Sequence, residues 1–271
     1  MTTTAPQPSA SSATGPWPGR FVWHDLMTKD GAAAQRFYVA LFGWQVRELP
    51  MGPCTYRMIE CGPGPIGGIV EEPAIPHAHW MPYVAVKDVD AAAQRVVELG
   101  GSVCVPPTDI PQTGRFAVCG DPSGATFSIY TGLPDSPGFD PDLPVPGRIC
   151  WNETWSDAPD AAQRFYTELF GWKPEPKDLG PAGTYFIQKL GDKQVGGLMK
   201  NPMPGTPSCW VVYFHVESLS RSGERAKAEG ATAMMEGIPI PEVGSFSMFT
   251  DPTGALFVLF EPAAGLGEQP C

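Results

Sequence analysis

The chain has 271 residues and a formal net charge of −11, with a sequence pI near 4.8. This length is sufficient for two domains that each bury a core of their own. The negative charge argues against nucleic acid or an anionic membrane surface as a partner, since both carry the same sign of charge. No apolar run is long enough to cross a membrane, and residues 1–16 lack the basic start and apolar core of a signal peptide.

Seven cysteines are scattered along the chain without any C-x-x-C pair. An odd number of such isolated cysteines is typical of reduced thiols rather than of a disulfide framework. Together with the missing signal peptide, this pattern predicts a cytoplasmic protein.

The chain contains an internal duplication. The segment AAAQRFYVALFGW at Ala32–Trp44 returns as DAAQRFYTELFGW at Asp160–Trp172. Its apolar residues recur at helical spacing, which predicts an amphipathic helix with one buried face. Gly43 and Gly171 fall where a helix ends in a left-handed residue, a conformation that glycine adopts at little cost. The tryptophan that follows each glycine is interpreted as core packing, because it ends the buried helix.

Other landmarks repeat at matching positions: Gly67-Gly68 with Gly196-Gly197, Trp80 with Trp210, and the DPSG turn at 121–124 with DPTG at 251–254. A fainter repeat lies inside each half, where AAAQR of residues 32–36 recurs at residues 91–95. Repeats of this kind indicate four modules of similar structure.

Hydrophobic periodicity and turn signals define the elements in chain order. The first half has predicted helices and strands at Arg20–Thr28, Ala32–Trp44 (helix), Trp44–Leu49, Thr55–Cys61, Ile66–Glu71, Trp80–Val86, Val89–Leu99 (helix), Arg115–Cys119 and Ala125–Tyr130. The second half has them at Arg148–Trp155, Pro159–Phe170 (helix), Thr184–Leu190, Gln194–Met199, Cys209–Val216, Leu219–Glu229 (helix), Ser245–Thr250 and Ala255–Phe260. Residues 19–132 and 147–262 are therefore the predicted domains, joined by a Pro-rich linker at 133–146 and flanked by tails at 1–18 and 263–271.

A doubled strand-helix-strand-strand-strand unit, with FY…LFGW on its first helix and DPxG before its last strand, resembles the vicinal oxygen chelate superfamily. That group holds glyoxalase I, extradiol dioxygenases, fosfomycin-resistance proteins and bleomycin-binding proteins. The resemblance spans Arg20–Pro262 and implies an α+β fold of two tandem glyoxalase-like domains, with four βαβββ modules whose curved mixed sheets form cups. Such domains pair about a pseudo-twofold axis, and a duplicated chain needs no second copy, so we expect a monomer.

Metal-dependent members of the family hold a cation with four His, Gln or Glu ligands, one on the cavity-facing strand of each module. Counted from the landmarks, these positions fall on Trp23, Trp151, Pro82, Val212, Ser128 and Val258, and near Ile69 and Leu198. None is a metal ligand, so we predict no metal and no other cofactor. A register shifted by one residue would bring His24 inside, which keeps a metal-dependent lyase or dioxygenase open. His77 and His79 are interpreted as surface residues of a loop.

An acid follows each of the two tryptophans on the first strand of a half. Asp25 lies two residues after Trp23, and Glu153 two residues after Trp151, so each pair shares a strand face. The predicted cup is aromatic and apolar with one carboxylate in each domain, which is typical of a small-molecule pocket. The candidate ligand-binding residues are Trp23, Asp25, Trp80, Phe116, Trp151, Glu153, Trp155, Trp210, Phe246 and Met248.

Two interpretations of the acids stay open. In one, Asp25 and Glu153 face a small-molecule ligand, an aromatic metabolite or antibiotic with or without an amine group, which is sequestered or handled in a pathway. In the other, each acid is a structural partner of Arg36 or Arg164. An enzyme remains the alternative function, with Asp25 or Glu153 as general base for an isomerisation or a hydroxylation-linked step. A surface or interaction antigen is the fourth possibility.

Overall fold

The computed structural model describes residues 18–51, 54–62, 64–133 and 145–265. The elements of the first half are β1 (Phe21–Thr28), α1 (Gly31–Phe42), β2 (Gln45–Met51), β3 (Cys54–Cys61), β4 (Gly64–Glu71), β5 (His79–Ala85), α2 (Val89–Glu98), β6 (Ser102–Ile110), β7 (Gly114–Gly120) and β8 (Thr126–Gly132). Those of the second half are β9 (Ile149–Ser156), α3 (Pro159–Phe170), β10 (Lys173–Asp178), β11 (Thr184–Leu190), β12 (Lys193–Lys200), β13 (Cys209–His215), α4 (Leu219–Ala228), β14 (Thr232–Ile240), β15 (Gly244–Thr250) and β16 (Leu256–Pro262).

Each half forms one curved, eight-stranded mixed sheet. The first has the order β2-β3-β4-β1-β5-β8-β7-β6, and the second repeats it as β10-β11-β12-β9-β13-β16-β15-β14. The two modules of a half meet through the antiparallel pair of their first strands, β1 with β5 and β9 with β13. The predicted α+β architecture of four βαβββ modules is confirmed.

The first helix of each half ends as its sequence predicts. Gly43 has φ 72° and Gly171 has φ 74°, and the N–H of each donates to the carbonyl four residues earlier. At the start of α1, the Asp30 side chain accepts a hydrogen bond from the N–H of Ala33 at 2.8 Å. The glycines allow the chain to turn sharply out of the helix and into the next strand.

Three strands, β6, β10 and β14, were not predicted. Each lies at the edge of its sheet, and each contains proline: Pro106 and Pro107, Pro174 and Pro176, and Pro239. Proline cannot donate to a neighbouring strand, so it reads as a strand breaker in sequence but is tolerated where one side of the strand is unpaired. These edge strands complete the outer walls of the two sheets.

The helix-covered faces of the two sheets pack against each other in two shared cores. The first core joins the opening module to the last module, and Phe37 packs on Phe257 with ring centroids 5.7 Å apart. The second core joins the two middle modules, where the equivalent rings Phe165 and Phe127 lie 6.0 Å apart. Equivalent residues of the halves thus exchange the same contacts, as a pseudo-twofold arrangement requires.

The two helix-ending tryptophans join the halves reciprocally. The Nε1 of Trp44 donates to the carbonyl of Gly147 at 2.9 Å, and the Nε1 of Trp172 donates to the carbonyl of Gly19 at 2.7 Å. Both indoles are almost wholly buried, so the interpretation of these residues as core packing is confirmed. Each bond crosses from one half to the other, and the halves cannot separate without exposing both indoles.

His24 also lies between the halves and not in a cup. Its Nε2 is 2.7 Å from Oδ1 of Asn152, the residue at the same position of the other half. Burial lowers the pKa of His24 to about 4, so the ring is neutral near pH 7. The register that would bring His24 inside is therefore not the one the chain adopts.

The predicted tails and linker fall largely outside the described residues, which omit 1–17, 134–144 and 266–271. Within the described part, Cys61, Cys104, Cys119 and Cys209 form no disulfide. No helix of the described part is long and apolar enough to span a membrane.

Candidate functional site

The face of each sheet that is turned away from the helices forms a concave surface. We call the surface of the first sheet cup 1, with Trp23, Asp25, Tyr56, Tyr83 and Phe116 on it. The surface of the second sheet is cup 2, with the matching residues Trp151, Glu153, Tyr185, Tyr213 and Phe246. Side chains alternate along β1, where Leu26 enters the shared core and its neighbour Asp25 faces the cup.

Asp25 is the centre of a hydrogen-bond network in cup 1. Its Oδ1 accepts from the hydroxyl of Tyr56 at 2.7 Å and from Nε1 of Trp23 at 3.1 Å. Its Oδ2 accepts from the hydroxyl of Tyr83 at 2.7 Å, and the backbone N–H of Gly68 adds a further bond. These four donors fill the acceptor positions of one carboxylate. The carboxylate is only 4% exposed, so it lies beneath the side chains that bond to it.

Glu153 is the centre of a similar network in cup 2. Its Oε2 accepts from the hydroxyls of Tyr185 at 2.8 Å and Tyr213 at 3.2 Å. Its Oε1 accepts from Nε1 of Trp155 at 2.5 Å, while Trp151 donates to the hydroxyl of Tyr185 at 2.8 Å. Glutamate is one methylene longer than aspartate, yet two tyrosines and an indole surround it as well. The duplication has therefore retained a buried acid held by phenol and indole donors.

A glycine next to each acid makes room for one of the tyrosines. A Cβ on Gly68 would lie 2.1 Å from the hydroxyl of Tyr56, and a Cβ on Gly197 would lie 1.9 Å from that of Tyr185. Non-bonded carbon and oxygen atoms cannot approach so closely. The second glycine of each Gly-Gly repeat is therefore required so that a tyrosine can cross the strand to reach the acid.

Burial sets the ionisation of these groups. It raises the pKa of Asp25 and of Glu153 above the usual values, and the hydrogen bonds from tyrosine and tryptophan partly oppose this rise. Burial beside the acids also raises the pKa of Tyr56, Tyr83, Tyr185 and Tyr213 well above the usual value. The phenols therefore keep their protons and act as donors to the acids.

Two predicted cup residues, Trp80 and Trp210, lie on the opposite face. Trp80 pairs with Leu26 in the sheet, and its Nε1 donates to the hydroxyl of Tyr38 inside the first shared core. Trp210 packs on Tyr166 in the second core, with ring centroids 5.3 Å apart. The prediction was wrong by one residue of strand register, because β5 and β13 are apolar on both faces and give no alternation to read.

The other predicted aromatic positions lie on the cup faces. Phe116 is 6.4 Å from Tyr83 and Phe246 is 6.2 Å from Tyr213, measured between ring centroids. Trp155 and Met248 belong to the apolar cluster of cup 2. Together with Trp23 and Trp151, these side chains surround the acid networks with apolar surface.

The suggested structural partners of the acids, Arg36 and Arg164, are both exposed on their helices. The partners of Asp25 and Glu153 are instead tyrosines and tryptophans, so that interpretation was wrong. The four tyrosines were missed, although one signal was available. Tyr56 and Tyr185 both follow threonine on matched strands, and Tyr83 and Tyr213 also match, so they recur across the duplication as the acids do.

The residues of the cups do not fit the metal site that the fold family implies. Among the positions where metal-dependent members of the family have their ligands, three are buried in the shared cores: Ile69, Leu198 and Val212. Two others, Ser128 and Val258, face the cups, but neither is a metal ligand. The carboxylate oxygens of Asp25 and Glu153 are occupied by O–H and N–H donors. Among the described residues, no group of three or more His, Cys, Asp or Glu could hold an ion. This donor set suits hydrogen bonding to phenols and not coordination of a divalent cation.

Comparison with known proteins gives the chain its family. The model of the Glyoxalase/Bleomycin resistance protein/Dioxygenase superfamily matches residues 20–129. The protein named "Putative glyoxylase CFP32" of Mycobacterium tuberculosis is 35% identical over 247 residues, covering 89% of this chain and 94% of the relative. The chain belongs to the glyoxalase/bleomycin resistance protein/dioxygenase superfamily.

Three further proteins extend the comparison. The "Anthracycline biosynthesis protein DnrV" of Streptomyces peucetius is 30% identical over 277 residues, covering 93% of this chain and 98% of the relative. The Mn(II)-bound glyoxalase from Novosphingobium aromaticivorans has a TM-score of 0.65 at 17% identity, with coverage of 90% and 82%. The 2,3-dioxygenase LapB from Pseudomonas sp. KL28 has a TM-score of 0.63 at 15% identity, with coverage of 90% and 92%. At these identities the two structures show a shared fold.

Proposed function

We propose that the chain binds a planar aromatic small molecule in its cups without a metal ion. The observation that carries this proposal is the repeated network, in which a buried acid is held by two tyrosines and an indole at the base of an aromatic surface. Flat rings stack on exposed faces of indole and phenol, and apolar burial adds to that attraction. The proposal is compatible with a relative named for anthracycline biosynthesis, since anthracyclines contain fused planar rings.

The geometry favours the aromatic part of the ligand over an amine. Asp25 already accepts four hydrogen bonds, so an ammonium group could contact it only by displacing a tyrosine or the indole of Trp23. Such an exchange replaces one good bond by another and adds little affinity. The acids therefore serve to fix the hydroxyl groups of the tyrosines, and the ligand contacts the rings that the acids hold in place.

Tryptophan fluorescence titration with alizarin, a planar dihydroxyanthraquinone, tests the proposal. Binding in the cups should quench the emission, and Trp23→Phe and Trp151→Phe should each weaken binding in their own cup by about tenfold, through lost stacking area. Elemental analysis of the purified protein should find no stoichiometric transition metal. Alizarin binding that survives the double substitution with unchanged affinity would place the ligand elsewhere.

An enzymatic role is the second candidate, and the raised pKa of the two acids favours it. Because each acid is covered, a ligand proton would have to pass through a tyrosine hydroxyl, Tyr83 in cup 1 or Tyr213 in cup 2, to reach it. Mass spectrometry of the bound molecule after incubation decides between the two functions. A changed product in the wild type and an unchanged molecule with Tyr83→Phe and Tyr213→Phe would make the protein an enzyme.

A further inference from the structure

Four positions on the wall of cup 1 that β5 and β8 form are polar, whereas the matching positions of cup 2 have apolar side chains and a thiol. The cup-facing positions of these strands follow from the burial of Phe127 and Ile129 in the shared core, because their neighbours point the other way. Cup 1 has His79, Thr126, Ser128 and Tyr130 along this wall. The same positions of cup 2 are Cys209, Leu256, Val258 and Phe260. At these positions cup 1 therefore has a histidine and hydroxyl groups, and cup 2 has apolar side chains and a thiol.

His79 is the first residue of β5, not part of a loop as its sequence context suggested. It pairs with Met27 across the sheet, and Met81 pairs with Asp25, so His79 and the acid network share the cup face. The side chain is half-buried at the edge of the cup. The imidazole is thus positioned where a ligand entering cup 1 would meet it.

The hydrogen bond of the imidazole decides which of its nitrogens can accept a proton. Nδ1 lies 3.0 Å from the backbone carbonyl of His77, and a carbonyl oxygen can only accept, so Nδ1 carries the hydrogen. In the neutral ring, Nε2 then has the free electron pair. The hydroxyl of Thr126 is 3.5 Å from Nε2, at the outer limit of a hydrogen bond. Nε2 is therefore a hydrogen-bond acceptor that the protein itself satisfies only weakly.

The hydroxyl groups of three tyrosines in cup 1 are already committed. The hydroxyls of Tyr56 and Tyr83 donate to Asp25, and the hydroxyl of Tyr130 donates to the carbonyl of Thr113 at 3.0 Å. In cup 2, Cys209 stands in the place of His79, and burial raises the pKa of its thiol to about 11, so it keeps its proton near pH 7. Cup 2 has a histidine at another place on this wall, since His215 pairs with Phe260. An imidazole at the position of His79 is thus a property of cup 1.

We propose that His79 recognises the ligand of cup 1, and that this ligand is a planar aromatic molecule with an acidic phenolic or enolic hydroxyl. The hydroxyl donates to Nε2 of His79, and in the complex its proton moves to that nitrogen, which leaves an imidazolium paired with the ligand oxyanion. The transfer is reversible and needs no other reactant. This proposal rests on the function proposed above and names the class of molecule that cup 1 selects.

Two probes test it: alizarin, whose hydroxyl changes colour when it loses its proton, and alizarin dimethyl ether, which has no hydroxyl. At a pH where free alizarin is protonated, the wild-type complex should show the colour of the anion. His79→Gln should lose that colour and bind alizarin about tenfold more weakly, while the dimethyl ether binds both proteins equally. His77→Gln is the matched control, because it changes the neighbouring imidazole but retains the carbonyl that holds Nδ1; it should behave as the wild type.

The outcomes separate the two proposals. If neither probe quenches tryptophan fluorescence, the proposed aromatic binding function is overturned, and the role of His79 falls with it. If both probes bind but His79→Gln retains the anion colour and the affinity, the binding function stands and the role of His79 is overturned. His79→Asn provides a second variant, and the melting temperature of each variant confirms that binding is compared between folded proteins.

Discussion

The two cups share their centres and differ in their walls. Both contain a buried acid that accepts from two tyrosines, and in both a glycine makes room for one of those tyrosines. Around this centre, cup 1 has His79, Thr126 and Ser128 where cup 2 has Cys209, Leu256 and Val258. The structure requires the shared part, because each half has a buried acid and a buried acid needs hydrogen-bond donors. The different part can change without unpairing the acid, and ligand selectivity is expected to reside there.

The indoles also differ between the cups. In cup 1, Trp23 divides its Nε1 hydrogen between Asp25 and Tyr56. In cup 2 two tryptophans donate instead of one: Nε1 of Trp155 donates to Glu153, and Nε1 of Trp151 donates to the hydroxyl of Tyr185. Cup 2 is accordingly more filled with apolar side chains and forms a buried cluster of its own. We therefore expect cup 2 to contribute more to stability than cup 1.

The largest expected effect tests what the cups share. Gly68→Ala and Gly197→Ala should each expel a tyrosine from its acid. The lost bond to a charged group costs about 1.5–3 kcal/mol of unfolding free energy, and the overpacking adds about 1–3 kcal/mol. Gly64→Ala on the same strand is the control, because nothing lies within 4 Å of its added Cβ. Urea unfolding measures all three variants. Equal stability of Gly68→Ala and Gly64→Ala would show that the tyrosine position is not required.

A smaller effect separates the tryptophans of cup 2. Trp155→Phe removes a bond to a carboxylate and should cost about 1.5–3 kcal/mol, whereas Trp151→Phe removes a bond to a neutral hydroxyl and should cost about 0.5–1.5 kcal/mol. The two substitutions delete the same atoms, so each serves as the control for the other. Thermal and urea unfolding provide the comparison, and equal losses would contradict the assignment of donors to Glu153.

The smallest effect is a change with pH. Because the folded-state pKa of Asp25 and Glu153 is raised above 3.8 and 4.5, the folded state holds these protons more firmly. Their contribution to stability is therefore complete below the unfolded values and is lost as the pH rises through the folded values. Relative to Asp25→Asn or Glu153→Gln, the wild type should lose unfolding free energy as the pH rises above the unfolded values of 3.8 and 4.5.

His24 acts in the opposite direction in this range. Its folded-state pKa of about 4 lies below the usual 6.5, so its contribution is complete above 6.5 and is lost as the pH falls through 4. The histidine is common to the wild type and both acid variants, so its contribution cancels in the difference. A difference between wild type and variant that does not change with pH would contradict the raised pKa of the acids.

The modules, their helices and the presence of one acid in each half were predictable, because duplication repeats each signal twice. The edge strands β6, β10 and β14 were not, since their prolines resemble breaks and only the sheet shows that one side of each strand is unpaired. The recurrence of Asp25 and Glu153 marked the centres of the two hydrogen-bond networks. Their role as cup residues in contact with a ligand stays a prediction.

The remaining errors came from strand faces. The runs HWMPYVA and CWVVYFH are apolar on both sides, so nothing local shows whether Trp80 or Met81 faces the cup. Pairing with β1 decides it, and pairing is a long-range property. His79 was interpreted as a surface residue for a different reason: β5 begins at His79, one residue earlier than its aromatic content suggested. The tyrosines were visible only through comparison of the two halves.

The two shared cores also affect which substitutions the chain can accept during evolution. The contacts that join the halves, such as Trp44 with Gly147 and Trp172 with Gly19, lie on the helix-covered side of the sheets. The cup side is built from the alternate residues of the same strands, so a substitution there leaves the shared packing intact. The residues of one cup can change while those of the other are retained, because both depend on the same shared cores. Duplication within one chain has thus separated the inheritance of the fold from the divergence of its two cup surfaces.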